Sequence, residues 1–427
     1  MADRSEDKVH EGVTAPLDEA RPRAGFRRRF ERVAITSIFG DPRHPRTWSG
    51  APHNLACALE RLGIEVHGIH PRLADTEKLL LAGRNMLAGY PPPANGAALD
   101  RTPAARRLRA QKVARQVRAL GVRDVLHTGT LDLPLADEAG DVRHYLYCDH
   151  SWDLACRHRG GYQDTDGAAA SRHDALEAAA YRQMTHIFTF GDYVRRNLIE
   201  HYGVAAARVT AVGSGMGDIR PYHGPKDYAA ARLLFVAKHY FEQKGGRLVL
   251  DAFRLVAQAR PDARLTVVGS ERPRWLAEPL PNVAFLPYVP WAELERLYRE
   301  AALLVQPMLN DPWGQVYLEA LLSRTPVVGL RRNGLPEIAG QGRHGILIEA
   351  PRADDLAAAI ADALANPERL AGMGYIGQQH VLENYSWDRV ARLIAGDDDG
   401  REDSTMAAPA AARFTGQILQ PASGMPT

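Results

Sequence analysis

The chain has 427 residues, of which 45% are hydrophobic and 24% charged, and its formal net charge is +2. These values are typical of a soluble globular protein with two domains, and the small net charge gives no basis for nucleic-acid binding. Cys57, Cys148 and Cys156 lack paired metal spacing and indicate a reducing compartment rather than a disulfide framework. The sequence has no run of about 18 apolar residues and no apolar signal core near the N-terminus. We therefore expect a cytoplasmic protein.

Residues 1–28 are polar and contain proline, which predicts a disordered leader. The first strand-like run begins at Val33, and a loop with Ser49 and Gly50 then leads into an amphipathic helix that Gly63 ends. The predicted strands of this half are 33–38, 64–69, 124–127, 145–147, 185–190 and 209–212. Helical stretches separate them, so 29–218 is predicted to be an α/β domain on the acceptor side.

The segment from Gly213 to Pro225 is rich in glycine and proline, which is typical of a linker between domains. A second α/β domain is predicted over 219–377, with strands at 233–237, 264–268, 283–286, 303–306 and 326–329. The alternation predicts a mostly parallel sheet covered on both faces. A helix over 378–395 is expected to pack back toward the N-terminal domain, and 396–427 is predicted to be a disordered tail.

The most informative motif is Asp311-Pro-Trp-Gly-Gln-Val-Tyr-Leu-Glu319, which places two carboxylates eight positions apart. Pro312 and Gly314 predict a turn, and a short buried helix then starts near Gln315. The positive end of that helix favours an anion such as a diphosphate. Glu319 can accept hydrogen bonds from a ribose diol, and Asp311 lies where a transferred sugar could bind. The alternative is an ordinary preference for acidic residues near helix N-termini.

Two lysines follow the first strand of the second domain. Lys238 ends that strand, and Lys244 comes six positions later, before a Gly-Gly pair that lets the backbone approach a ligand closely. Ligands of doubly wound sheets collect at the carboxyl ends of the strands, so both lysines are expected to face a cleft between the domains. Two cations there could neutralise a diphosphate, and the alternative is that both are solvated.

Four motifs precede the carboxylate pair: Leu-Leu-Phe-Val-Ala-Lys238, Lys244-Gly-Gly, Leu-Thr-Val-Val-Gly269 and Val-Ala-Phe-Leu-Pro-Tyr288-Val. In order, spacing and residue type, the series resembles the retaining GT-B-fold glycosyltransferases of the family 4 type, also called glycosyl transferases group 1. That group includes sucrose synthases, glycogen synthases and many bacterial lipid and polysaccharide glycosyltransferases. The resemblance covers most of residues 30–390. It implies an α/β protein with two Rossmann-like, doubly wound domains facing each other across a cleft.

The resemblance also assigns roles to positions that match the family's motifs. The diphosphate of the donor would be bound by Lys238, Lys244, Gly50 and Gln315, and the ribose by Glu319. Trp313 and Gly314 would line the sugar pocket, and Tyr288 and Val289 would contact the base. Asp311 and His150 would be the catalytic pair at the transferred sugar. Asp149 competes with His150, since some relatives place an acidic residue in this loop.

Several positions depart from the family's pattern. The family most often has Glu at Asp311, Gly at Ala237 and an Arg near Lys238, and the spacing to Lys244 is one residue longer than usual. Because Asp is one methylene shorter than Glu, the sugar contact could be weaker or shifted toward a different donor.

The mechanism that the resemblance implies is transfer with retention of anomeric configuration and without a protein nucleophile. The leaving phosphate would help to deprotonate the acceptor, and its growing charge would meet Lys238, Lys244 and the helix end at Gln315. No metal and no cofactor are expected, and the co-substrate would be a UDP- or GDP-sugar. Two alternatives stay open: a nucleotide-sugar-binding protein that has lost transfer, and a nucleotide-sugar epimerase on the same fold.

The acceptor is a glycan, a lipid or a small molecule that the sequence does not define. A basic helix is predicted over 103–120, and its charged positions are Arg106, Arg107, Arg109, Lys112, Arg115 and Arg118. Such a helix can lie on an anionic membrane and serve a lipid-linked acceptor, and the alternative is a solvated basic face. The donor base, the donor sugar, the linkage and the oligomeric state leave no readable signature.

Overall fold

The computed structural model describes residues 28–87, 99–134, 141–157, 167–217, 219–237, 240–273, 276 and 280–397. The predicted leader and tail therefore lie almost wholly outside the described residues, as does Lys238. The described chain contains two six-stranded sheets in which all pairs of neighbouring strands are parallel. Helices alternate with the strands in both halves, so the predicted α/β architecture is confirmed.

The first sheet has the strand order β2-β1-β3-β4-β5-β6. Its strands are β1 Arg32–Thr36, β2 Glu65–Ile69, β3 Asp124–His127, β4 Arg143–Cys148, β5 His186–Thr189 and β6 Val209–Ala211. The helices of this domain are α1 Ala51–Arg61, α2 Asp75–Leu87, α3 Pro103–Leu120, α4 Trp152–Arg157, α5 Gly167–Gln183 and α6 Asp192–Glu200. Chain order reverses between β1 and β3, which makes that position the topological switch point of the sheet.

The second sheet has the strand order β12-β11-β10-β7-β8-β9. Its strands are β7 Arg232–Val236, β8 Arg264–Val268, β9 Val283–Leu286, β10 Leu303–Val305, β11 Val327–Leu330 and β12 Gly345–Ile348. The helices are α7 Gly246–Ala259, α8 Trp291–Glu300, α9 Gln315–Leu322, α10 Leu335–Ile338, α11 Ala353–Leu364, α12 Pro367–Asn384 and α13 Trp387–Ala395. This is the order of dinucleotide-binding domains, with its switch point between β7 and β10.

Every predicted strand overlaps an observed one, because the central strands are short apolar runs buried on both faces. All residues of β3, β10 and β11 are buried. β12 was not predicted. It lies at the edge of the sheet with its two middle residues only half-buried, and its Gly-Ile-Leu-Ile sequence lacks a clear period.

The end of the described chain returns to the N-terminal domain. Arg61 of α1 and Asp388 of α13 form an ion pair of 2.6 Å, and the Arg29 amide donates to the Ala395 carbonyl at 2.7 Å. The segment predicted as one helix over 378–395 is in fact the end of α12 followed by α13. The chain breaks there because Ser386 adopts an extended conformation and its hydroxyl caps α13 through the Arg389 amide.

Candidate active site

The loops that follow β7 and β10 meet at the switch point of the second sheet. The Lys244 ammonium lies 3.2 Å from a carboxylate oxygen of Asp311. Main-chain hydrogen bonds hold the same loops together, since the Met308 amide donates to the Lys244 carbonyl and the Asn310 amide to the Gln243 carbonyl. Lys244, predicted to bind the diphosphate, and Asp311, predicted to contact the transferred sugar, are therefore in direct contact.

Glycines permit this close approach. Gly245 has φ +90°, and a Cβ built on it would lie 2.9 Å from the Cβ of Pro307. Gly314 has φ +76°, and a Cβ there would lie 2.7 Å from the Tyr317 ring. Each glycine is also an N-cap, of α7 and α9 respectively. The first amides of both helices have no acceptor within their helix, so two partly positive helix ends lie at this edge of the sheet.

Glu319 is buried inside α9, and its position is fixed by a neighbouring helix. The Tyr298 hydroxyl of α8 donates to a Glu319 carboxylate oxygen at 2.8 Å. Burial, and then the charge of Glu319, raises the pKa of Tyr298 well above its usual value, which keeps the phenol protonated as a donor. The other carboxylate oxygen lies beside Gly217 of the linker, 3.1 Å from the position of a Cβ.

Gln315 begins α9, as its predicted position near a helix start required. Its side-chain amide donates to the Gly215 carbonyl at 2.7 Å and so ties the helix to the interdomain linker. The main-chain amide at the first position of the helix, rather than the side chain, is the group suited to an anion.

Trp313 lies in an aromatic cluster at the domain interface, which consists of Trp48, Phe190, Trp313 and Tyr385. Its ring centroid is 5.8 Å from that of Phe190 in the N-terminal domain and 5.8 Å from that of Tyr385. Only 4% of Trp313 is exposed. The side chain therefore supports the turn between Asp311 and Gly314 by packing, and its enclosed ring offers little surface to a sugar.

The N-terminal domain contributes the loop after β4, where Asp149 and His150 are both half-buried. Burial, and then the negative charge of Asp311, raises the pKa of Asp149 to about 7. Asp149 of the N-terminal domain therefore lies within electrostatic range of Asp311 of the C-terminal domain. His150 follows directly in the chain.

The loop after β1 is strained. Trp48, Ser49 and Gly50 follow one another with φ of +44°, +54° and +83°. Two of these are not glycine, and such conformations cost about 1–3 kcal/mol each unless the surroundings enforce them. The Trp48 ring packs on Phe190 with centroids 5.7 Å apart, which anchors the loop at the aromatic cluster.

The other predicted positions are spread more widely. Tyr288 is 78% exposed and Val289 half-buried in the loop after the edge strand β9. Of the six basic residues on α3, Arg106 and Arg109 are buried, and Lys112 donates to Glu77 at 2.6 Å. Three of the six basic residues proposed to face a membrane are therefore buried or paired within the protein.

Two absences apply to the described part of the chain. No helix there is long and apolar enough to cross a membrane. No cluster of three or more histidine, cysteine or acidic side chains suited to a metal ion occurs among the same residues.

Three residues at the site carry no local signal in the sequence. Tyr298 is one apolar position of the amphipathic helix α8, Tyr193 lies in the first turn of α6, and Glu337 lies in the four-residue helix α10. Tyr193 and Glu337 connect the two domains through hydrogen bonds. Their roles depend on which domain surfaces meet, so no spacing rule could have identified them.

This fold is shared by solved glycosyltransferases. Sucrose-phosphate synthase from Thermosynechococcus elongatus superposes with a TM-score of 0.66 at 16% identity, covering 85% of this chain and 97% of that one. WaaG, a glycosyltransferase involved in lipopolysaccharide biosynthesis, gives 0.59 at 16% identity, with 85% and 100% covered. HepE from Anabaena, solved in complex with UDP and glucose, gives 0.58 at 15% identity, with 86% and 98% covered. The protein therefore has the GT-B fold.

Two family models match the chain, one in each domain. Residues 52–216 match Glycosyltransferase Family 4, and residues 230–366 match Glycosyl transferases group 1. The chain belongs to the glycosyltransferases of the group 1 and family 4 type.

Curated relatives match over part of their length. D-inositol 3-phosphate glycosyltransferase of Segniliparus rotundus is 32% identical over 217 residues, which are 46% of this chain and 47% of that protein. The GDP-mannose-dependent alpha-(1-6)-phosphatidylinositol monomannoside mannosyltransferase of Mycolicibacterium smegmatis is 29% identical over 178 residues, 38% of this chain and 47% of that protein. The matched region thus spans about half the length of these relatives.

Proposed function

We propose that this protein transfers a sugar from a nucleoside diphosphate sugar to an acceptor, with retention of the anomeric configuration and without a metal ion. The contact between Lys244 and Asp311 carries this proposal, because it brings a cation and a carboxylate together at the switch point, beside the N-termini of α7 and α9. Relatives solved with UDP and glucose or named for GDP-mannose support a UDP- or GDP-sugar.

On the donor, the diphosphate would be bound by Lys244 and Lys238, by the amide end of α9 at Gln315 and by the Gly50 loop. These groups meet the charge that grows on the leaving phosphate in the transition state, and such preorganised charges need no metal ion. Glu319 would accept hydrogen bonds from the ribose hydroxyls. Its attachment to the Tyr298 hydroxyl fixes the carboxylate before the donor arrives.

The nucleoside base would lie toward the loop after β9. Tyr288 and Val289 are the positions proposed there, and the Tyr288 ring is exposed and so accessible to a base. Recognition through main-chain groups of the same loop would explain why the sequence carries no signature of the base.

The transferred sugar would lie between Asp311 and His150, with Gly314 leaving room for it. Asp311 would orient sugar hydroxyls, and the Lys244 ammonium, 3.2 Å away, holds its carboxylate in place for that purpose. Asp149 remains the second candidate in the N-terminal loop, since burial and then the charge of Asp311 raise the pKa of its carboxyl group. Trp313 would contribute by supporting this turn from behind.

A thermal-shift screen against UDP-, GDP-, ADP- and TDP-sugars tests donor binding, because a ligand that binds only the folded state must raise the unfolding midpoint. Nucleotide release that depends on an added acceptor then tests transfer. Binding without turnover on any donor would instead support a binding protein that has lost transfer, which the Asp311 and Ala237 departures favour. Conversion of the donor sugar without acceptor would support an epimerase.

A further inference from the structure

Helix α6 begins at the domain interface without a capping side chain of its own. Its N-cap is Gly191, which supplies no side-chain hydrogen bond. The first amides of any α-helix lack an acceptor within the helix. In this protein Glu337 of the C-terminal domain provides the missing acceptors. One of its carboxylate oxygens accepts from the Asp192 amide at 3.0 Å and the other from the Tyr193 amide at 2.8 Å.

The fit between Glu337 and α6 is close. A Cβ on Gly191 would lie 2.8 Å from a Glu337 carboxylate oxygen, so only glycine leaves room for the carboxylate. Burial raises the pKa of Glu337 to about 7, against the two amide contacts and the helix dipole, which favour its ionised form. A single carboxylate thus uses both oxygens on one helix end, across the boundary between domains.

The second residue of this helix reaches the site itself. The Tyr193 hydroxyl lies 2.8 Å from the Pro312 carbonyl and also contacts the Asp149 carbonyl. Pro312 follows Asp311 in the loop after β10, and Asp149 precedes His150 in the loop after β4. The hydroxyl therefore lies between the two loops that carry the proposed catalytic pair.

We propose that Glu337 is a positioning residue: by binding the start of α6 it holds Tyr193 between the loops of Asp311 and His150 and so sets the distance between the two halves of the site. This inference rests on the proposed transferase function. Neither Glu337 nor Tyr193 needs to touch the donor, since both act through the main chain of neighbouring loops. A displacement of about 1 Å between such halves can cost about 100-fold in rate.

Hydrogen exchange tests the contact directly, because the amides of Asp192 and Tyr193 have no other acceptor in their helix. Glu337→Gln keeps the shape of the side chain but places an amide NH₂ group against a main-chain donor. We expect the first turn of α6 to exchange at least about 10-fold faster in this variant. The matched control is Glu349→Gln, an exposed carboxylate of the same domain paired with Arg331, which should leave α6 unchanged.

Steady-state kinetics test the positioning role. Glu337→Gln should lower kcat by about 10-fold or more with a small change in donor KM, because the loss falls on the geometry of the reacting groups. Tyr193→Phe retains both amide contacts, so it should keep the α6 protection of the wild type and still lower kcat. A helix cap with a purely structural role would not produce this separation.

Three results would overturn the inference: unchanged exchange of α6 in Glu337→Gln, unchanged kcat in that variant, or unchanged kcat in Tyr193→Phe. If Glu337→Gln does not fold, Glu337→Asp provides the test, since the shorter side chain cannot keep both amide contacts with α6. A wild-type protein that transfers no sugar from any donor would reject the proposed function, while the exchange rates would still decide whether Glu337 holds α6.

Discussion

The Lys244 ammonium and the Asp311 carboxylate lie 3.2 Å apart. Two strands separate β7 and β10 in chain order, but these two are neighbours in the sheet, so the loops that follow them meet. Both side chains are largely shielded, with 16% and 26% of their surface exposed. The pair joins the group proposed for the diphosphate to the group proposed for the sugar. If both proposals hold, a bound donor would be contacted on the phosphate side and on the sugar side of the bond that breaks.

Replacement of Lys244 by alanine should lower kcat/KM for nucleotide release by about 100-fold, because the variant loses a cation that meets the developing phosphate charge. The protein should stay folded with a lower unfolding midpoint, since the variant leaves the largely shielded Asp311 carboxylate without its cation. Lys78→Ala is the control, an exposed lysine paired with Asp75 on α2. Wild-type kinetics in Lys244→Ala would show that the diphosphate binds elsewhere.

Glu319→Ala should weaken donor binding, because the ribose loses its acceptor and the Tyr298 hydroxyl loses its partner. We expect the thermal shift produced by the best donor to fall and kcat/KM to drop by about 10–100-fold. Glu319→Gln, which retains one acceptor oxygen, should be less affected. Equal donor shifts in wild type and Glu319→Ala would remove Glu319 from the ribose site.

Asp311→Glu should change the preference among donor sugars, since the longer side chain moves the carboxylate by one methylene toward the position usual in the family. The measurement is the ratio of kcat/KM values across a donor panel in the wild type and the variant. Asp311→Asn, which abolishes the ion pair with Lys244, should lower kcat on every donor. Identical donor ratios in Asp311→Glu would argue against a sugar contact at this position.

Asp149 makes stability depend on pH. Its ordinary pKa of 3.8 is raised to about 7 in the folded protein by burial and by Asp311. The folded state thus binds this proton more tightly than the unfolded state, so the associated stability is present at low pH and is lost as pH rises from about 4 to about 7.

Asp149→Asn removes this ionisation. At pH 8 its free energy of unfolding should exceed that of the wild type by about 1–3 kcal/mol, and the difference should shrink as pH falls toward 4. Urea unfolding at several pH values measures it. A variant that is less stable than the wild type at pH 8 would show that the folded protein needs the ionised carboxylate.

Two glycines of α12 should respond in opposite ways to alanine. A Cβ on Gly372 meets no atom within 4 Å, so Gly372→Ala should raise the free energy of unfolding by about 0.5–1 kcal/mol. A Cβ on Gly374 would lie 2.2 Å from the Arg324 carbonyl oxygen, so Gly374→Ala should lower it by about 1–3 kcal/mol. Urea midpoints of the two variants give the comparison, and changes of equal sign would contradict the packing of α12.

Much of the fold could be predicted because parallel strands buried on both faces leave apolar runs in the sequence. β3, β8 and β9 have the predicted ends, whereas the edge strand β12, with only part of its surface buried, was missed. The break before α13 was also missed, although Ser386 is a favourable N-cap.

The sequence by itself determined the alternation of strands and helices, the turn between Asp311 and Gly314 and the helix that carries Glu319. These depend on local periodicity and on turn-forming residues. Only the tertiary structure decided that Lys244 pairs with Asp311, that Trp313 is enclosed between domains and that Glu337 caps α6. Such contacts follow from strand order and from the packing of two separate domains, and neither is encoded in the spacing of neighbouring residues.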